Sequence, residues 1–257
     1  MPDDFKDKVV LVTGAGSGIG REAARLYAAR GAHVFGADLN EAGLAETDAL
    51  IRSAGQAIKV RTTDVSRAAD VKALIDHIEQ NAGQLDIAFN NAGITGGTYR
   101  IEDYPVEDFD KVVAVNLRSV FLGMKHEIPA MLRAGGGAIV NTASVAALTG
   151  PGGMTAYAAS KHGVHGLTRV AAMENAARGI RINALAPGWT ETPMVAANSA
   201  QNPAFAELAR TAIPAKRGGR PQELAEAALW LSSNASNYLF GHMPVVDGGM
   251  TIGGFEL

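Results

Sequence analysis

The chain contains no cysteine. Disulfides, thiolate nucleophiles and cysteine-ligated metals are excluded together, and a reducing cytosol is the compartment expected of it. It also lacks any apolar run near the roughly 18 residues that a membrane-spanning helix requires. Its opening, MPDDFKDKVV, has acids where a secretory leader has bases, so a soluble, cytoplasmic protein is expected. Neither sign of charge dominates: 23 Lys and Arg face 26 Asp and Glu, for a net charge of −3. That balance excludes a nucleic-acid surface and an acidic tail as organising features. Internal repeats, low-complexity tracts and Pro/Ser/Gly-rich linkers are absent as well. A chain of 257 residues suits one α/β domain with one large core, so 1–257 is expected to fold as a unit.

What is present is alternation. KVVLVTG (8–14) is a near-continuous apolar run, as a parallel strand covered on both faces needs. A helical segment runs from Gly18 to about Arg30, stopped by Gly31, and AHVFGAD (32–38) reads as a second strand. The order continues as helix 41–54, strand 57–62 and helix 67–82, the last with Val71, Leu74, Ile75 and Ile78 on one face. LDIAFNNAG (85–93) is the next strand and turn. One long helix is predicted over about 106–133, a strand over 138–144, a second long helix over about 155–178 and a strand over 180–188. A helix at 221–233 and the strand HMPVVDGG (242–249) close the series. Such alternation specifies a doubly wound Rossmann α/β fold, a parallel sheet of about seven strands with helices on both faces. Only 191–220 interrupts it, after a strand end, where loops carry function.

The first βα turn, TGAGSGIG (13–20), places Gly14, Ser17, Gly18, Ile19 and Gly20 between strand and helix. Glycines let the backbone approach a pyrophosphate, and a helix N-terminus offers free N–H groups and partial positive charge. Its position, with an acid after the next strand, points to a dinucleotide. That acid is Asp38. A carboxylate there can accept hydrogen bonds from both adenosine ribose hydroxyls and repels a 2′-phosphate. Leu39 follows, where a phosphate pocket would use arginine. Both residues favour NAD over NADP.

Tyr157 and Lys161 lie four apart on a predicted helix and share a face. An ammonium beside a phenol favours the phenolate and lowers its pKa. Ser144, ending the strand before, is placed to hold a substrate oxygen while Tyr157 exchanges its proton. Asn116 shares a helix stripe with Phe109, Val113 and Val120. A buried amide needs partners; a satisfied core amide, a helix-kink residue and a catalytic group are all open to it. The six histidines show no carboxylate-backed ligand spacing, so no metal is expected.

Together these residues resemble the short-chain dehydrogenase/reductase family over nearly the whole chain. The markers run in order: the glycine turn, Asp64-Val65, NNAG (90–93), Asn116, Ser144, Tyr157-x-x-x-Lys161, Pro187-Gly188 and Thr192. The resemblance implies an NAD-dependent enzyme interconverting a secondary alcohol and a ketone, with Tyr157 as general acid/base and Ser144 orienting the substrate oxygen. It implies that Lys161 binds the ribose and lowers the Tyr157 pKa, and that Asn116 holds a relay water. Asp64 and Val65 would flank the adenine, Asn90 would line the adenosine side, and Pro187, Gly188, Thr190 and Thr192 would hold the nicotinamide. About 191–215 would be the substrate lid, and Trp189, Met194, Ala146 and Tyr99 are candidate pocket walls. A homotetramer pairing the two long helices across a two-fold axis is expected. Two alternatives remain: a 3-oxoacyl-carrier-protein reductase, which Asp38 argues against because such enzymes generally use NADP, and a non-catalytic nucleotide sensor, for which an intact proton-transfer set has no use.

Overall fold

In VVLVT (Val9–Thr13, β1) every residue is buried. Val10 and Val12 point into one hydrophobic core and Val9 and Leu11 into another, the two-sided burial that the apolar run required. A computed structural model describes residues 5–252 apart from 202, 204–206 and 208–210. After β1 come α1 (Gly18–Ala29), β2 (His33–Asp38), α2 (Glu41–Ser53), β3 (Ile58–Thr62), α3 (Ala68–Ala82) and β4 (Ile87–Asn90). The second half runs α4 (Val106–Val113), α5 (Ser119–Arg133), β5 (Gly137–Thr142), α6 (Thr155–Asn175), β6 (Ile180–Pro187), α7 (Pro193–Gln201), α8 (Pro221–Ser232) and β7 (Val245–Val246). The sheet has seven strands in the order β3-β2-β1-β4-β5-β6-β7, all pairs parallel. This is the doubly wound α/β fold that the alternation specified.

The two cores lie on opposite faces of the sheet. On one, α1 and α8 bring Ala23, Ala24, Leu224 and Leu229 against Val10, Val12 and Val140. Tyr27 is anchored there, edge-on to Phe5 at 5.0 Å and hydrogen-bonded to Ser232 Oγ at 2.7 Å. On the other, α3, α5 and α6 cover Leu11, Phe35 and Ile139 with Leu74, Ile78, Met124 and Ala171. Arg181, on β6, fastens the end of α8. Its Nη1 donates to the carbonyls of Leu231 and Ser236 and to Ser236 Oγ, and its Nη2 to the carbonyls of Ser232 and Ser233, all at 2.8–3.3 Å. These are the carbonyls that a helix end leaves without intrahelical partners.

Three expectations change. The helix predicted over 106–133 contains a widened π turn at Ala114–Arg118, centred on Asn116. Such turns form where a side chain demands more room than the α-helical ladder gives. The last strand is two residues long rather than eight, because Pro244 has no N–H to give and Asp247 accepts from Gly249 and Thr251 to close a turn. The stretch at 191–215 contains α7, while 202, 204–206 and 208–210 lie outside the described residues. No helix among the described residues is long and apolar enough to cross a membrane.

Candidate active site

The carboxyl ends of the central strands open into a cleft of about 430 Å³, where ligands bind in parallel α/β sheets. Its floor is the glycine turn. Gly14 has φ +70°, and a Cβ there would press on Asn91 Nδ2 at 2.8 Å. Gly20 sits so close to Gly14 that a Cβ would overlap the Gly14 carbonyl oxygen. Gly14, Ser17, Gly18 and Ile19 line the cleft; Gly20 does not, and serves instead to let α1 close on the turn. No acid occupies the first turn of α1, so its N-terminal partial positive charge is left for an anion to meet.

Asp38, Leu39, Asp64 and Val65 line the cleft from the ends of β2 and β3. The Asp38 carboxylate accepts N–H bonds from Gly16 and Asn40, each at 2.9 Å. Each oxygen retains acceptor capacity for a ligand hydroxyl. Asp64 accepts from Ser66 N–H and Oγ at 2.9 and 2.7 Å, which fixes the β3 exit. Across the cleft stand Pro187, Gly188, Thr190, Thr192 and Met194. Thr192 Oγ1 accepts the Val195 N–H at 3.2 Å, and a Cβ on Gly18 would meet the Thr192 methyl at 3.2 Å. The cleft these residues line is elongated from Asp38 to Thr192 and fits a dinucleotide.

Ser144, Tyr157 and Lys161 share one wall of this cleft. The Ser144 hydroxyl accepts the Ala146 N–H at 3.1 Å, leaving its own proton to donate. Lys161 is 3% exposed; its Nζ donates to the Thr142 carbonyl at 2.7 Å and lies 5.6 Å from the centre of the Tyr157 ring. Burial lowers its pKa to about 8. Burial also pushes the Tyr157 phenol above its ordinary value, opposed by a hydrogen bond with Ser144. The Lys161 hydrogen bond goes to the Thr142 carbonyl, and the hydrogen bond with Ser144 is what opposes the effect of burial on the phenol.

Asn116 lies behind that wall rather than on it. Its Oδ1 accepts the Ile94 N–H and its Nδ2 donates to the Ile94 carbonyl, both at 2.8 Å, with a further bond from Nδ2 to Ser160 Oγ at 3.2 Å. It is thus a buried amide held by Ile94 and Ser160 at the centre of the widened turn. Ser160 in turn donates to the Tyr157 carbonyl at 2.7 Å, so Asn116 ties cleft-lining Ile94 to α6.

Asn90 also departs from expectation. Its Nδ2 points into the protein, to Glu127 Oε2 and Asn141 Oδ1 at 3.0 Å each, and Asn91 to Ile94 line the cleft in its place. Alternation along a strand puts neighbours on opposite faces, a signal that NNAG carried. Lys111 and Val115 were missed; they line the cleft from one helix face at i, i+4 spacing. Of the candidate walls, Met194 borders the cleft, whereas Trp189, Ala146 and Tyr99 do not. No cluster of His, Asp and Glu among the described residues can hold a metal ion.

A family model described as enoyl-(acyl carrier protein) reductase matches residues 14–251. The cyclohexanol dehydrogenase of Acinetobacter sp. (strain SE19) is 41% identical over 253 residues, covering 98% of each chain. The 3-oxoacyl-[acyl-carrier-protein] reductase FabG of Thermotoga maritima is 40% identical over 252 residues, 96% of this chain and 99% of its own. The crystal structure of levodione reductase superposes with a TM-score of 0.92 at 40% identity, over 96% of this chain and 99% of that one.

Proposed function

The chain belongs to the short-chain dehydrogenase/reductase family, and we propose that it interconverts a secondary alcohol and a ketone with NAD(H). The observation that carries this reading is the meeting of Ser144, Tyr157 and Lys161 on one wall of a cleft whose floor is the glycine turn. The nicotinamide, when bound, supplies the hydride chemistry. Ser144 holds the substrate oxygen, and Tyr157 gives it a proton in reduction and takes one in oxidation. Lys161 holds the ribose; Pro187, Gly188, Thr190 and Thr192 hold the nicotinamide, with the Thr192 proton free for its carboxamide. Gly14, Ser17, Gly18 and Ile19 hold the pyrophosphate, and Asp64 and Val65 flank the adenine. Asn116 Oδ1 accepts one bond, from the Ile94 N–H, and keeps a second lone pair for a relay water. The names of two relatives, cyclohexanol dehydrogenase and levodione reductase, place ring alcohols and ketones first in the substrate panel. NADH absorbance across that panel is the test, and turnover of none with either cofactor favours a nucleotide sensor.

Asp38 carries the choice of NAD. Asp38→Ala should weaken NADH binding about tenfold, the value of one or two hydrogen bonds to a charged group, and narrow the preference over NADPH. Fluorescence titration reads both, and unchanged affinities would sink the ribose assignment. The Thermotoga relative supports a second reading, reduction of a carrier-bound 3-oxoacyl group. A docking site for an acidic carrier wants free basic residues. Arg133 is instead paired with Glu79 at 2.6 Å, Arg100 lies 3.6 Å from Glu102, and Arg118 donates to the Ser66 carbonyl. Turnover of a 3-oxoacyl thioester with NADPH in preference to ring ketones with NADH would establish that reading instead.

A homotetramer belongs to the same proposal. Phe121 on α5 and Val170 and Met173 on α6 are 48%, 58% and 86% exposed, an apolar face that a two-fold partner would cover. Light scattering should give four chains; a monomer at micromolar concentration would refute it.

A further inference from the structure

Glu127 is a carboxylic acid in the buried face of α5, with no exposed surface. Its Oε2 accepts from Asn90 Nδ2 at 3.0 Å, and its Oε1 has no partner. Gly123, one turn earlier, leaves room for it: a Cβ there would stand 3.0 Å from both Glu127 Oε1 and Asn90 Oδ1. The space beside these oxygens is about 10 Å³, enough for one water at most. A hydrocarbon of this size would pack here without the cost of burying an acid, so the acid calls for a reason.

That reason lies in the neighbour it holds. Asn90 directly precedes Asn91, Ala92, Gly93 and Ile94, all of which line the nucleotide cleft. Asn90 also donates to Asn141 Oδ1, and Asn141 Nδ2 to Thr168 Oγ1, at 3.0 Å each. One polar chain therefore joins α5, β4, β5 and α6 beneath the cleft. We propose that Glu127 is a positioning residue for nucleotide binding: in its neutral form it fixes Asn90, and through Asn90 the 91–94 segment that meets the dinucleotide. This inference rests on the reading of the cleft as an NAD site.

Burial raises the Glu127 carboxyl to about 7, against the opposing hydrogen bond from Asn90. Among the described residues, no charged group contributes to that shift, and Leu11 and Thr13 on β1, Val71, Leu74 and Ile75 on α3 and Ser119, Val120 and Gly123 on α5 line the space beside it. Lys72, Asp76 and Lys125 instead act on His126, and from α6 the uncharged Thr168 is linked to Glu127 through Asn141 and Asn90. Once ionised, the acid has a single donor where a carboxylate accepts several. Relief comes by moving Asn90 or admitting water, and either disturbs 91–94.

The test combines NADH fluorescence titration with amide hydrogen exchange over 91–94. Ionisation of Glu127 should raise the wild-type Kd about fivefold between about pH 6 and 8.5, on top of what the titration of Lys161 at the ribose contributes. Glu127→Gln keeps the acceptor and cannot ionise, so its Kd should rise about fivefold less than the wild-type Kd over that range, leaving only the part that Lys161 contributes as it titrates. Glu127→Met should raise Kd about fivefold at both pH values and speed exchange at 91–94, with kcat at saturating NADH within about twofold of wild type. Should Glu127→Met fail to fold, the Gln variant decides alone. A Gln variant with the wild-type pH slope, or a Met variant with wild-type Kd and exchange, overturns the inference and leaves the NAD site standing. A wild type that binds neither NADH nor NADPH overturns both.

Discussion

Replacing Tyr157 with Phe should lower turnover about a thousandfold while leaving NADH affinity within about twofold. The substitution removes one hydroxyl and keeps the ring that fills the wall beside Lys161. On the proposed mechanism the lost hydroxyl exchanges a proton with the substrate oxygen, so the effect should fall on kcat. Ser144 cannot substitute, since an alkyl hydroxyl is a far weaker acid than a phenol. The pH dependence follows from the direction of the shift. Burial raises the phenol, so the phenolate needed for oxidation becomes more abundant as pH climbs, and alcohol oxidation should accelerate into the alkaline range. Ketone reduction needs the neutral phenol, which is already the dominant form near neutrality, and should stay flat there. Stopped-flow NADH absorbance in both directions checks this. A Phe variant within tenfold of wild type would show that another group moves the proton.

Arg181→Ala should destabilise the fold by about 3 kcal/mol, the net worth of several charge-assisted hydrogen bonds left unmade. For a chain of this size that corresponds to a fall in Tm of about 6–12 °C. The guanidinium reaches four carbonyls and a hydroxyl at the end of α8 and the turn after it. Removing it strands those acceptors where the helix cannot satisfy them. Arg181→Lys should recover less than half of the loss, because one ammonium cannot span the fork. Both variants should bind NADH normally when folded, since Arg181 lies outside the cleft. Thermal unfolding followed by circular dichroism gives the comparison, and an Ala variant melting within 2 °C of wild type, under about 1 kcal/mol, would show that the carbonyls find water instead.

The sheet was legible because its signal is physical and repeated. Val9 to Thr13 had to be covered on both faces, and each helical stretch supplied the cover. The glycine turn and the Tyr157–Lys161 pair were legible because turn geometry and one-turn spacing are local. What escaped was decided across the sheet. Asn90 and Asn91 are adjacent and chemically identical, and only the face of β4 sends one inward to Glu127 and the other to the cleft. Lys161 reads locally as the partner of Tyr157, yet burial shared by both decides the direction in which each titrates. Arg181 gave no signal at all, since its acceptors lie 50 or more residues away in sequence.

The widened turn at Ala114–Arg118 bears on how the chain tolerates changes in length. A π turn absorbs one residue more than an α-helix would use over the same rise, so the helices on either side keep their facing. Deleting a single residue there should therefore yield a straight helix whose buried Val112, Val120 and Met124 still meet the core. Assembly of the sheet would survive, and the tie between Asn116 and Ile94 would not. At this one place the count of residues is set by the cleft and not by the core.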